Sequence, residues 1–204
     1  MKRRVVVTGI GALTPIGNNV NDTWKGILNH QCGIDLIQSF DTSNMKVKVA
    51  GELKDFEATE YLDKKDVRKM DKFIQYGLIA AKEAIKDSKL EIDSINHDRF
   101  GVVVSSGIGG LGSIEENHQR GLKKGFDRVS PYFIPMTIVN LAAGQIAIAF
   151  KAQGLATCPV TACAGGTNAI GDAFRNIRDG YLDVTIAGGC EAALHLLVLV
   201  VLHQ

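Results

Sequence analysis

At 204 residues, with 46% apolar and 22% charged side chains, the chain is long enough to bury a sizeable core and falls in the range of one or two soluble domains. Its formal charge of +1 excludes a nucleic-acid binder that works by broad phosphate neutralisation, leaving only local basic clusters. The longest apolar run, Ala192 to Leu202, is broken by His195 and spans about 11 residues against the ~20 that a membrane-crossing helix needs, so no membrane span is expected.

From the start of the chain, Met1-Lys2-Arg3-Arg4 runs directly into Val5-Val6-Val7, with no stretch suited to a signal peptide, so a cytoplasmic protein is expected. Apolar runs rich in Val and Ile recur at residues 4–8, 100–105, 156–161 and 183–188, mostly bounded by glycine, and read as buried strands. After the first of them comes Gly9-Ile10-Gly11, a glycine turn that imitates a dinucleotide fingerprint. It fails at the third glycine, where Thr14 stands with Pro15 behind it, and proline disfavours the helix that would hold a pyrophosphate. Residues 29–70 carry mixed charge and a weak strand signal at Lys46 to Leu53, as an insertion or cap beside the core would.

Asp71 to Ser88 puts Ile74, Leu78, Ala81 and Ile85 on one face, an amphipathic helix. Ser105-Ser106-Gly107-Ile108-Gly109-Gly110 follows the second strand but lacks the lysine of a phosphate-cradling loop, and both glycine loops are accounted for by tight turns alone. Asn140 is placed to cap a helix over Leu141 to Phe150, and a further helix is expected over Gly165 to Arg178. Strands alternating with helices imply an α/β architecture, with a mixed, mostly parallel sheet covered on both faces.

Four cysteines, at 32, 158, 163 and 190, lack the spacing of a zinc site or a secreted disulfide framework, so reduced and mostly buried thiols are expected. Cys163 differs from the others in its setting. It lies where a strand gives way to a helix of small residues, so unpaired N–H groups and the helix dipole favour thiolate, and small neighbours admit a substrate. The same N–H groups can stabilise an oxyanion. Local physics leaves two roles open for it, a nucleophile or a small buried apolar residue. For Cys32, Cys158 and Cys190 the buried role is expected.

The segment Val160-Thr161-Ala162-Cys163-Ala164-Gly165-Gly166-Thr167-Asn168-Ala169-Ile170-Gly171-Asp172-Ala173 closely resembles the active-site segment of the elongating β-ketoacyl-[acyl carrier protein] synthases of type II. In the same order and spacing, Val6-Val7-Thr8-Gly9-Ile10-Gly11-Ala12-Leu13-Thr14-Pro15-Ile16-Gly17, Arg68-Lys69-Met70-Asp71-Lys72-Phe73, Val129-Ser130-Pro131-Tyr132-Phe133-Ile134-Pro135 and Ile186-Ala187-Gly188-Gly189 resemble that family's other hallmarks. The resemblance implies the N-terminal half of a thiolase-like fold over residues 1–193, with no metal and no cofactor. It also implies Cys163 as the nucleophile that takes an acyl group from acyl-ACP before condensation with malonyl-ACP, its own N–H serving as one oxyanion donor. Ile108 and Phe133 match acyl-pocket positions, Phe133 reaching across a homodimer; without the family, an ordinary apolar core is the better reading of both. Lys65, Arg68 and Lys69 match a basic patch that meets the acidic carrier protein. A second patch keeps Lys123, Lys124 and Arg128, but Asp127 stands where the family has a basic residue.

The family's two decarboxylation histidines, its lysine and a second oxyanion donor belong to a second half whose segments are absent. The resemblance therefore implies a chain that does not complete the condensation alone, and a catalytically silent fragment that dimerises or binds carrier protein is the alternative. Residues 194–204 depart from the family, reading Leu-His-Leu-Leu-Val-Leu-Val-Val-Leu-His-Gln where the family continues Ile-Thr-Pro-Leu-Gly-Val-Gly-Gly-Phe-Ala-Ser. Codons exist for the whole tail that return the family residues when read one base earlier. A one-base deletion just before Leu194 is the expected origin, which makes His195 and His203 by-products and not partners of Cys163.

Overall fold

The computed structural model describes residues 3–196 together with Val198 and Leu199. At its centre is a three-stranded parallel sheet in the order β4-β3-β5, with β3 spanning Phe100–Ser105, β4 Ala156–Thr157 and β5 Val184–Gly189. Val102 is aligned with Ala156 on one side and Ile186 on the other. Every residue of β3 is buried, which suits an uninterrupted Val-rich strand with helices on both faces.

Side chains alternate across a strand, so consecutive valines serve different cores. Val102 and Val104 join α3 (Lys72–Ser88) and α6 (Leu141–Ala149) in a cluster that holds Phe73, Ile74, Leu78, Ala142, Ala143 and Ile146. Val103 faces the other way and meets Ala169 and Ala173 of α7, Gly165–Arg178. Phe73, Ile74, Ile146 and Val102 lose essentially all solvent contact, and burial of such side chains contributes about 1.5–3 kcal/mol each.

Helix α3 starts as its sequence dictates. Asp71 is the N-cap, accepting from the Phe73 N–H at 3.2 Å, while its second oxygen accepts from the Ser113 N–H and hydroxyl on α4, Leu111–Lys124. The cap region at 29–70 carries a two-residue antiparallel pairing, β1 (Asp35–Leu36) with β2 (Val49–Ala50), and a short helix α2, Lys64–Val67. It is fastened to the core by Ala58, Leu62 and Met70. Helix α1, Val20–Leu28, precedes it, capped by Asn19, whose side chain accepts from the Asp22 N–H at 2.8 Å.

Three of the four expected buried strands are corrected. Residues 4–8 form no strand: Val6 and Val7 are 61% and 79% exposed. The segment has no sheet neighbour among the described residues; the residues that follow it, 9–12, run along α3, and amides there are taken by side chains. Asp87 accepts from the Ile10 N–H at 3.0 Å, and Glu83 from the Ala12 N–H at 2.9 Å. The glycine turn exists for this contact, because a Cβ at Gly9 or Gly11 would collide with the carbonyl of Ala84 or Ala80. Nor are 156–161 and 183–188 fully buried strands: β4 has two exposed residues and β5 is half-buried, since each has β3 as its only strand neighbour among the described residues.

Candidate active site

Cys163 lies in a 3-10 turn, Ala162–Ala164, that leads directly into α7. The turn is set by a left-handed residue, Ala162 with φ 48°, a conformation that costs a non-glycine residue on the order of 1–3 kcal/mol and persists only where its surroundings impose it. Those surroundings are visible. Ser105, the last residue of β3, donates its hydroxyl to the Pro159 carbonyl at 2.6 Å and so ties the central strand to the segment entering the turn. Gly165, the first residue of α7, lies so close to Ser105 that a Cβ there would meet its hydroxyl.

Beside the turn sits the loop leaving β3. A Cβ on Gly107 would lie 3.8 Å from the Ala162 Cα, so Ile108, 43% exposed, is carried at the edge of the cysteine turn. The Gly107 and Ile108 amides do not form an open phosphate cradle. Both donate to one carboxylate oxygen of Glu191, at 2.7 and 3.0 Å. Phe133 opens α5, Phe133–Thr137, whose Thr137 carbonyl accepts from the Gly110 N–H at 3.2 Å, so α5 packs against the same loop. The side chain of Phe133 is half-buried.

All four cysteines are free thiols. Cys163 is exposed, which removes the buried role for it; Cys32 is exposed as well, contrary to expectation, because it lies in the cap with its sulfur 3.8 Å from the Ile34 carbonyl and no core over it. The remaining pair behaves as expected of partly buried thiols. Burial pushes Cys158 up, and burial, reinforced by the Glu191 carboxylate and by Cys158, pushes Cys190 up to about 12.

Of the basic residues, Lys65, Arg68 and Lys69 stand exposed on and just after α2, and the Lys69 ammonium lies 5.6 Å from the Tyr132 ring centre. Lys123 and Lys124 end α4 and are exposed. Arg128 is held 3.6 Å from its neighbour Asp127, a pair so exposed that it contributes little beyond local charge cancellation. His195 packs on Gly112 and lines a cavity of about 450 Å³ with Arg68, Asp71, Ser113 and Asn117; Cys163 is not among the lining residues. His203 lies outside the described residues. Among the described residues no group of three metal-ligating side chains occurs, and no helix is long and apolar enough to cross a membrane.

Sequence reasoning missed Ser105 and Glu191. The available signal was positional, since polar residues at the C-terminal ends of parallel strands face the crevice where α/β sites form.

Residues 2–204 match the model of the β-ketoacyl synthase N-terminal domain. A 3-oxoacyl-[acyl-carrier-protein] synthase 2 from Synechocystis sp. is 48% identical over 193 residues, covering 95% of this chain and 46% of the relative. The enzyme of the same name from Staphylococcus aureus (strain COL) is 48% identical over 192 residues, 94% of this chain and 46% of the relative. The chain thus spans about half the length of the curated relatives it matches. Among solved structures, a type II PKS ketosynthase in complex with its acyl-carrier protein aligns over all of this chain and 55% of its own, with TM-score 0.83 and 28% identity. The ishigamide ketosynthase/chain length factor aligns over 98% of this chain and 50% of its own, with TM-score 0.89 and 26% identity. The architecture is therefore the thiolase-like α/β fold of the ketosynthases. By its match across the N-terminal domain and the order of its motifs, this chain belongs to the β-ketoacyl synthase family.

Proposed function

We propose that the chain carries the acyl-accepting half of a 3-oxoacyl-[acyl carrier protein] synthase of fatty-acid elongation. The observation that carries this reading is the exposed Cys163 at a constrained turn between the β3 loop and the start of α7. Its sulfur attacks the thioester carbonyl of acyl-ACP, the carrier's thiol leaves with the proton, and a Cys163 thioester remains. Splitting the reaction at a covalent intermediate replaces one difficult step by two easier ones. The Cys163 N–H serves the oxyanion as one donor. In the complete reaction malonyl-ACP then loses CO2, and the resulting carbanion displaces Cys163 to give β-ketoacyl-ACP; the residues that the resemblance assigns to that step lie outside this chain.

Ile108 and Phe133 form parts of the acyl-binding wall, consistent with the packing of their loop and helix together beside Cys163. The exposed cations Lys65, Arg68, Lys69, Lys123, Lys124 and Arg128 receive the acidic carrier, an arrangement that steers encounter more than it adds affinity. A related ketosynthase bound to its own acyl-carrier protein supports this partner. A cytoplasmic homodimer is the working state, with the exposed outer edge of β4 and the 52% exposed Val160 as its seam. Residues 1–193 are the N-terminal synthase half, and 194–204 are a tail read in a shifted frame, which codons incompatible with a one-base shift would disprove.

A silent fragment that only associates is the second reading, favoured by the exposed Ile170 and Phe174 on α7. Incubating the chain with acyl-ACP labelled in its acyl group, then adding malonyl-ACP, separates the two. Label on Cys163 without condensed product is expected; no label supports the silent fragment; product would refute the need for residues outside the chain.

A further inference from the structure

Glu191 follows the last glycine of β5 by two residues and reaches back to the loop leaving β3. One of its oxygens accepts from the Gly107 N–H at 2.7 Å and the Ile108 N–H at 3.0 Å; the other lies 3.3 Å from its own neighbour's amide, Ala192, and 3.4 Å from the Ser106 hydroxyl. The loop is further fixed on its inner side, where Ser106, 2% exposed, accepts from the Gly109 N–H at 3.1 Å, and where the Cys190 N–H donates to the Ser105 carbonyl at 2.9 Å. Two neighbouring amides aimed at one carboxylate oxygen are charge-assisted bonds and stronger than neutral ones. They fix the backbone of Gly107 and Ile108, and a Cβ on Gly107 would lie 3.8 Å from the Cα of Ala162, the residue before Cys163.

We propose that Glu191 is a positioning residue that sets the place of Ile108 beside Cys163, and through it the room left for an apolar chain attached to the sulfur. This rests on the reading of Cys163 as the acyl-accepting thiol. Glu191 touches neither the sulfur nor the acyl group; it acts through the Gly107–Ile108 backbone.

The test uses the full chain and the variants Glu191→Ala, Glu191→Gln and Ile108→Ala, with two readouts. Amide hydrogen exchange at Gly107 and Ile108 is expected to accelerate by about tenfold or more in Glu191→Ala, as loss of a bond to a charged acceptor implies, while Val102 and Val103 in β3 stay protected. Glu191→Gln keeps an acceptor oxygen but not the charge, and keeps part of the protection. In the second readout N-ethylmaleimide and N-octylmaleimide compete for the thiols, and the modified peptides are counted. The octyl-to-ethyl ratio at Cys163 is expected to change by about fourfold, the worth of one buried methylene, in Glu191→Ala and in Ile108→Ala, with no further change in the double variant. The exposed Cys32 is the internal reference, and its ratio stays constant.

Unchanged exchange at Gly107 and Ile108 in Glu191→Ala would overturn the clamp. Lost protection with an unchanged ratio at Cys163 would overturn the positioning role, as would a Glu191→Gln variant that behaves like Glu191→Ala. Failure of acyl-ACP to label Cys163 while the maleimide ratios shift as stated would count against the acylation reading and leave the clamp standing.

Discussion

The two faces of the central sheet are built to different standards. On the α3 and α6 side, Phe73, Ile74, Leu78, Ala143 and Ile146 close over Val102 and Val104 with almost no solvent contact. On the α7 side the buried cluster is Val103, Ala169 and Ala173, and the same helix turns Ile170 and Phe174 outward at 56% and 44% exposure. Cys163 belongs to the thin side. Stability is thus concentrated on one face and the proposed chemistry on the other, where small residues leave access to the sulfur at the cost of apolar surface left open.

The sharpest way to break this division is Cys163→Ala. Acyl transfer from acyl-ACP should vanish completely, while the denaturant midpoint stays put, because the removed thiol is exposed and bonded to nothing in the core. On the thick face Phe73→Ala should cost about 3–5 kcal/mol in a urea titration, the usual price of an aromatic cavity, and should affect acylation only through the folded fraction.

Between the two lies Gly165→Ala. Its Cβ would collide with the Ser105 hydroxyl, so a loss of about 1–3 kcal/mol is expected together with slower alkylation of Cys163, since the turn must move to make room. A stability loss with unchanged Cys163 reactivity would mean that the turn and the thin face are independent.

Smaller effects sharpen the picture. Iodoacetamide at pH 8 should modify Cys163 and Cys32 well before Cys190, whose thiol, at about 12, stays protonated there; early loss of Cys190 in peptide mapping would show that the thick face opens. Last comes Asp183, which accepts from Arg99 at 2.6 Å and from Arg3 at 2.7 Å, and whose carboxyl is thereby held at about 2 instead of 3.8. Its contribution is complete above about pH 4 and disappears as pH falls through about 2, because the unfolded chain takes up the proton first. Asp183→Asn should therefore flatten the stability profile in that window and leave the profile above it parallel to the parent; the surface exposure of the pair keeps the effect small.

What could be read from the residues follows the range of the interactions involved. Helix α7 occupies the expected Gly165–Arg178, and α3 fills Lys72–Ser88 of the helix expected over Asp71 to Ser88, because periodicity acts within a few turns. The position of Cys163 just ahead of a helix was legible for a similar reason, since that setting is written in the small residues on either side. Val5 to Val7 misled, because a strand is a property of two segments and no neighbour is described for this one. Cys32 misled because average burial says nothing of a particular cap loop. The bonds of Glu191 to Gly107 and Ile108 bridge more than eighty positions, and nothing local to either end announces them.

Val102, Val103 and Val104 are chemically interchangeable, yet they are addressed to opposite compartments. A slip of β3 by one position would send the middle valine into the space shaped for its two neighbours, and they would crowd against alanines sized for one. Six aligned pairs with β5, from Phe100 with Val184 to Ser105 with Gly189, oppose that slip. The phase of this ladder also decides that Ser105, and not Ser106, meets the Pro159 carbonyl. The address of the sulfur is therefore settled one strand away, by a parity choice among identical side chains.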